Sequence, residues 1–78
     1  MNQLGLFEEI TQIKIITHQG SRIFNLAVSD MKEFILKQSQ ELRLWLYIDG
    51  VNTNPVKIDT SIISSAKEII LTLPLVGG

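Results

Sequence analysis

The segment Leu42-Arg43-Leu44-Trp45-Leu46-Tyr47-Ile48 carries the most regular strand pattern in the chain. Aliphatic residues occupy every second position, so Leu42, Leu44, Leu46 and Ile48 share one face while Arg43, Trp45 and Tyr47 share the other. Such a strand belongs to a sheet that is covered on one side and open on the other. The remainder of the chain must therefore supply more strands of the same asymmetry and a layer to lie over the apolar face. With 78 residues there is room for one small domain and a single core.

Residues 10–17 repeat the asymmetry, with Ile13 and Ile15 on one face and Gln12, Lys14 and Ile16 on the other. His18-Gln19-Gly20-Ser21 reads as a turn in which Gly20 supplies a positive φ. Residues 22–28 return with Phe24, Leu26 and Val28 inward and Ile23, Asn25 and Ala27 outward, which makes a hairpin. Ser29-Asp30 opens a helix, with Asp30 as the expected N-cap and Glu33 in the capping-box position. Met31, Phe34 and Ile35 form its apolar stripe, extended by Gln38, and the helix is expected to end near Ser39. This is the layer that covers the sheet.

After the strand at 42–48, Asp49-Gly50 marks a turn and residues 52–55 an irregular connection. Residues 56–58 leave room for a short strand. Residues 59–66 place cap-forming side chains around Ile62 and Ile63, and predict a loop or one 3₁₀ turn that plugs one of the two into the core. Lys67 and Glu68 lead into a last strand, in which Ile69, Leu71 and Leu73 alternate with Ile70 and Thr72. Pro74 has no N–H to give to a ladder, so pairing is expected to stop there. The organisation expected is a flexible leader over residues 1–9, a folded domain over 10–73, and an extended tail over 74–78 that ends in Gly77-Gly78. Without Cβ atoms, two glycines make the thinnest backbone a chain can present.

Composition narrows the function. A net charge of −1, from seven basic and eight acidic residues without blocks of either sign, leaves no footprint for nucleic acid or an anionic membrane. Cysteine is absent, which excludes disulfides, thiolate metal sites and a cysteine nucleophile within this chain. His18, the one histidine, stands in a polar turn without a second nitrogen ligand nearby in sequence, so no metal site is expected. Ser64 and Ser65 lack a general base, so no catalytic residue is expected either. No apolar run approaches the roughly 20 residues of a membrane span, and residues 1–9 lack the pattern of a signal peptide, which points to the cytoplasm.

The order strand, strand, helix, strand, short strand, turn, strand is that of a β-grasp. With the hairpin closed by Gly20, the helix from Ser29-Asp30, the Leu-Arg-Leu-Trp-Leu run, the plug Asp59-Thr60-Ser61-Ile62 and the Gly77-Gly78 ending, residues 10–78 resemble the ubiquitin-like β-grasp superfamily. The resemblance implies an α+β fold with a mixed four- to five-stranded sheet and one helix packed on one face. It also implies that the Gly78 carboxylate is adenylated by an E1-like (ThiF/MoeB-type) enzyme that uses ATP, while this chain binds no cofactor and is no enzyme. Two classes share that step. In ubiquitin-like modifiers the carboxyl group is then joined to a target amine, with an E2-like enzyme and a deconjugating protease as further partners. Sulfur carriers of the ThiS and MoaD type hold sulfur there as a thiocarboxylate.

Ubiquitin carries arginines before its diglycine, whereas this chain has Pro74, Leu75 and Val76, the positions expected to be recognised by the activating enzyme. The proline resembles the MoaD ending. The Leu-Trp-Leu strand and the plug after Ile58 resemble ubiquitin and the bacterial ubiquitin-like modifiers, and the modifier is the preferred expectation. A β-grasp interaction module without terminal chemistry is the third. Trp45, Tyr47 and Ile70, with Ile16 beside them and Arg43 and Lys14 at the rim, are expected to form a partner-binding patch on the open face.

Overall fold

The structure is a computed structural model that describes residues 9–74. The leader residues 1–8 and the tail residues 75–78, including Gly77 and Gly78, lie outside the described residues. The order is β1 (Ile10–Thr17), β2 (Gly20–Ala27), α1 (Val28–Leu42), β3 (Trp45–Ile48), β4 (Val51–Thr53), a 3₁₀ turn (Pro55–Lys57), α2 (Thr60–Ser65) and β5 (Ile69–Thr72). The strands form one five-stranded mixed sheet in the order β2-β1-β5-β3-β4. Neighbours are antiparallel except β1 and β5, which run parallel in the centre. The fold is α+β, as the strand alternation and the long amphipathic helix α1 imply.

One side of the sheet is covered. Ile13 and Ile15 of β1, Leu46 and Ile48 of β3, and Ile69 and Leu71 of β5 meet Val28, Met31 and Ile35 of α1 in the core. Ile58 and Ile63 close it from the connection between β4 and β5, and Phe24 meets Phe34 with ring centroids 5.4 Å apart. Strand β1 has the bounds its alternation predicts. In the hairpin neither His18 nor Gln19 has a positive φ; Gly20 does, at +113°, immediately after the reversal.

Several local expectations are corrected. Helix α1 begins at Val28, not Ser29-Asp30, and its N-cap is Ala27, which offers no side-chain bond. The need for one is met elsewhere: the Val28 N–H donates to the Glu9 carbonyl at 2.9 Å. Asp30 instead lies in the first turn, where its charge complements the positive end of the helix dipole. The helix also runs past Ser39 to Leu42. Arg43 then takes the left-handed conformation (φ 55°, ψ 50°), and the N–H groups of Arg43 and Leu44 both donate to the Ser39 carbonyl. The strand expected from Leu42 therefore starts at Trp45, and Leu42 and Arg43 belong to the helix end.

The connection after β3 differs too. The Asp49-Gly50 turn is present, with positive φ at both residues as a primed hairpin turn demands, and it returns the chain as β4, where the sequence predicts an irregular connection. The strand expected at 56–58 is instead the 3₁₀ turn, because Asn54 Oδ1 accepts from the Val56 N–H at 3.0 Å and Pro55 cannot donate to a ladder. The plug is a short α-helix. Asp59 caps it by accepting from the Ile62 N–H at 3.0 Å and the Ser61 hydroxyl at 2.8 Å. Of the two candidates Ile63 is the plug, at 0% exposure against 37% for Ile62. Its neighbour Ser64 donates to Glu9 Oε1 at 2.6 Å, which ties α2 to the entry of β1. Among the described residues no helix is long and apolar enough to cross a membrane.

Candidate functional site

The tail is rooted by the sheet order. Because β5 lies between β1 and β3, its final residue Thr72 stands opposite both Ile16 and Trp45, and the chain leaves from the middle of one sheet end. Leu73 packs half-buried against the core, and Pro74 is half-buried as well. Beside this root lies a hollow of about 280 Å³ bounded by the hairpin turn at His18 and Gln19, by Leu42 and Leu44, and by Leu73. Leu42 is 47% exposed there, since the helix continues one turn beyond the point where its apolar stripe is covered. Of the residues expected to act in the tail, Pro74 is placed at the exit, while Leu75, Val76, Gly77 and Gly78 lie outside the described residues.

The open face of the sheet is built from the positions that alternate with the core. Register fixes its rows: Ile23, Lys14, Ile70, Tyr47 and Asn52 run across the five strands, and Ser21, Ile16, Thr72 and Trp45 form the row nearer the tail. Tyr47 is thus the direct cross-strand neighbour of Ile70, and Trp45 is one row on. Trp45 is 44% exposed; Tyr47, Ile70 and Ile16 are half-buried. Arg43 stands at the end of α1 and not within β3, while Lys14 lies in the row beside Ile70. Ile23, 56% exposed on β2, joins the row and was legible only as an outward position of the hairpin.

Along the outer side of β3 the face becomes a groove. Strand β4 pairs with β3 only as far as Thr53 opposite Leu46, and the chain then turns away at Asn54 and Pro55. The gap of about 570 Å³ is lined by Leu44, Trp45, Leu46 and Tyr47 from β3 and the residue before it, and by Asn52, Thr53, Asn54 and Pro55 from β4 and the turn after it. The sequence pattern singles out the two aromatic residues but not the amides across from them, because the three-residue β4 has too little alternation to be seen.

The Asp59 carboxylate is held below its ordinary range through the bond from the Ile62 N–H and then that from the Ser61 hydroxyl, which is a helix cap. Among the described residues no group of three or more His, Asp or Glu side chains stands close enough to hold a metal. No protein-family model matches the chain, and no curated protein matches it significantly.

Proposed function

We propose that the chain is a ubiquitin-like β-grasp protein whose Gly78 carboxylate, encoded or freed by a processing protease, is activated by an E1-like enzyme and joined to an amine of a target protein. The observation that carries this reading is the sheet order. The last strand is central and parallel to the first, a helix packs on one face, and in sequence Gly77-Gly78 follows Pro74 by three residues. A central strand pins the root of the tail on both sides. Four residues reach at most about 13 Å at roughly 3.3 Å per residue, which is the length of chain available between Pro74 and the carboxylate that a partner would have to take up.

The chemistry follows from the carboxylate. It is a poor acyl donor until an oxygen becomes part of a leaving group. Attack of the carboxylate oxygen on the α-phosphorus of ATP forms the acyl-adenylate and releases pyrophosphate. A target amine then attacks the carbonyl carbon, AMP leaves, and the nitrogen loses a proton as the amide forms. Glycine at 77 and 78 keeps the acyl group free of side-chain clashes during both steps. Pro74, Leu75 and Val76 in place of arginines favour an activating enzyme of bacterial type.

The sulfur-carrier reading shares the adenylate and is favoured by Pro74 alone. Mass spectrometry of the protein recovered from its native cells separates them. Gly78 in amide linkage to another protein is the expected result, and a carboxylate oxygen replaced by sulfur would identify the carrier. A carboxylate unaltered in the presence of an E1-like enzyme and ATP, with function surviving deletion of Gly78, would overturn both.

A further inference from the structure

The inward series of β5 does not stop where its pairing does. Ile69 and Leu71 are buried in the core and Leu73 packs against it, each two positions after the last. The next member of that series is Leu75, so the apolar alternation runs past Thr72, the last paired residue. The backbone in between is constrained, since proline fixes its own φ at about −65° and biases the residue before it to extended conformations. Two extended residues carry the chain about 6.6 Å from Leu73 to Leu75.

Two registers converge on the place this leads to. Thr72 stands opposite Trp45 of β3 and Ile16 of β1. Three steps along the antiparallel register set position 75 across from Leu42, and three steps along the parallel one set it beside Gln19. Neither neighbour continues as a strand, because the hairpin reverses at His18-Gln19 and α1 ends at Arg43, so the steps give a location and not ladder bonds. Leu42 and Gln19 are both walls of the hollow of about 280 Å³ beside the tail's root, which Leu44 and Leu73 line as well.

The hollow is core that the described residues leave unfinished. Leu44 is 4% exposed, whereas Leu42, on the same hollow, is 47% exposed. An apolar side chain placed there takes the Leu42 surface out of water. Leu75 arrives with no loop to close, so little chain entropy opposes it, while Val76 alternates to the opposite side of an extended chain. We propose that Leu75 docks in the hollow between the hairpin turn and the C-terminal end of α1 as the last residue of the core, leaving Val76-Gly77-Gly78 beyond the folded body. The docking does not depend on any reaction of Gly78. Where that carboxylate is activated, the partner takes up three residues, about 10 Å of chain, and not four.

The test is methyl NMR on the full chain with ¹³C-labelled leucine and valine. Nuclear Overhauser contacts from the Leu75 methyls to those of Leu42 and Leu44 are expected. Leu75→Ser, which lies beyond the last paired residue and so leaves β5 intact, abolishes them and shifts the Leu42 methyls and the Gln19 amide. Val76→Ser leaves these signals in place. Deletion of Gly78 also leaves the Leu75 contacts unchanged, so this inference and the activated carboxylate stand or fall separately. The proposal is overturned if the Leu75 methyls resonate at denatured-chain values without contacts to Leu42, or if Leu75→Ser and Val76→Ser shift Leu42 equally. It is also overturned if, in a mixture of labelled and unlabelled chains, the Leu75 contacts arise between molecules, which would assign the hollow to the tail of a second copy.

Discussion

Asp49 and Glu68 are bonded to each other in both directions: the Asp49 N–H donates to the Glu68 carbonyl at 2.9 Å, and the Glu68 N–H donates to Asp49 Oδ1 at 2.9 Å. The same oxygen accepts from the Lys67 N–H at 2.8 Å. One side chain in the β3–β4 turn thereby fixes where β5 begins, and with it the register that sets the tail's exit. Asp49→Ala removes two acceptor bonds and leaves a β-carbon at a φ of 52°, so it is expected to cost about 1–3 kcal/mol. Asp49→Asn retains one oxygen acceptor and tolerates the left-handed backbone, and is expected to cost less. Urea denaturation of both variants checks the order.

The plug separates two adjacent isoleucines. Ile63 is fully buried against the core, so Ile63→Val is expected to cost about 0.5–1.5 kcal/mol and Ile63→Ala about 2–5. Ile62 keeps more than a third of its surface, and Ile62→Ala is expected to stay below about 1 kcal/mol. Equal losses at the two positions in denaturant unfolding would contradict the burial.

What was legible in the sequence is what repeats. The alternation of Ile13 and Ile15 with Gln12 and Lys14, or of Ile69 and Leu71 with Ile70 and Thr72, records burial on one side of a sheet, and those strands lie where the pattern puts them. Leu42 is different because it satisfies two periods: it continues the strand alternation of Leu44 and Leu46, and it also falls seven residues after Ile35 on the helix stripe. The conflict is settled by Arg43, whose left-handed backbone no residue-type preference announces. The helix start was hidden for another reason, since the group that satisfies the Val28 N–H is the carbonyl of Glu9, nineteen positions away. The same limit applies to the site: Trp45 and Tyr47 are visible as outward aromatics, whereas Asn52 and Asn54 gain a role only once β4 places them across a groove.

The cap on α2 gives a pH dependence with a definite sign. The Asp59 carboxylate is held below its ordinary value of 3.8, first by the Ile62 N–H. A group with a depressed folded value adds stability that is fully present above the unfolded value and is lost as pH falls through the folded one. Asp59→Asn still caps but does not titrate. The wild type is therefore expected to exceed the variant in denaturation midpoint near pH 6, with the difference shrinking as pH drops below about 4. A difference constant from pH 6 to 2.5 would show that the carboxylate's charge contributes nothing to the cap.

Gly20 and Gly50 both have open space where a side chain would stand, so only backbone conformation decides what each tolerates. Gly50, at φ +81°, sits close to the left-handed region that asparagine enters readily, in a turn type that favours it. Gly20, at φ +113°, lies outside that region. Gly20→Asn is expected to cost about 1–3 kcal/mol and Gly50→Asn clearly less, measured by thermal unfolding of the two variants side by side.

Arg43 is a non-glycine residue at a positive φ, 55°, where α1 ends. Its left-handed backbone is the strained end of α1, and glycine adopts that conformation without the Cβ penalty. Two effects oppose each other in Arg43→Gly: the strain relieved, and the greater freedom of glycine in the unfolded chain, which is worth roughly 0.4–1 kcal/mol. Left-handed backbone at a residue with a Cβ costs about 1–2 kcal/mol, so relief of strain outweighs the lost rigidity and the variant is expected to gain up to about 1 kcal/mol in urea denaturation. A destabilised variant would show that the Arg43 side chain contributes packing that outweighs the strain.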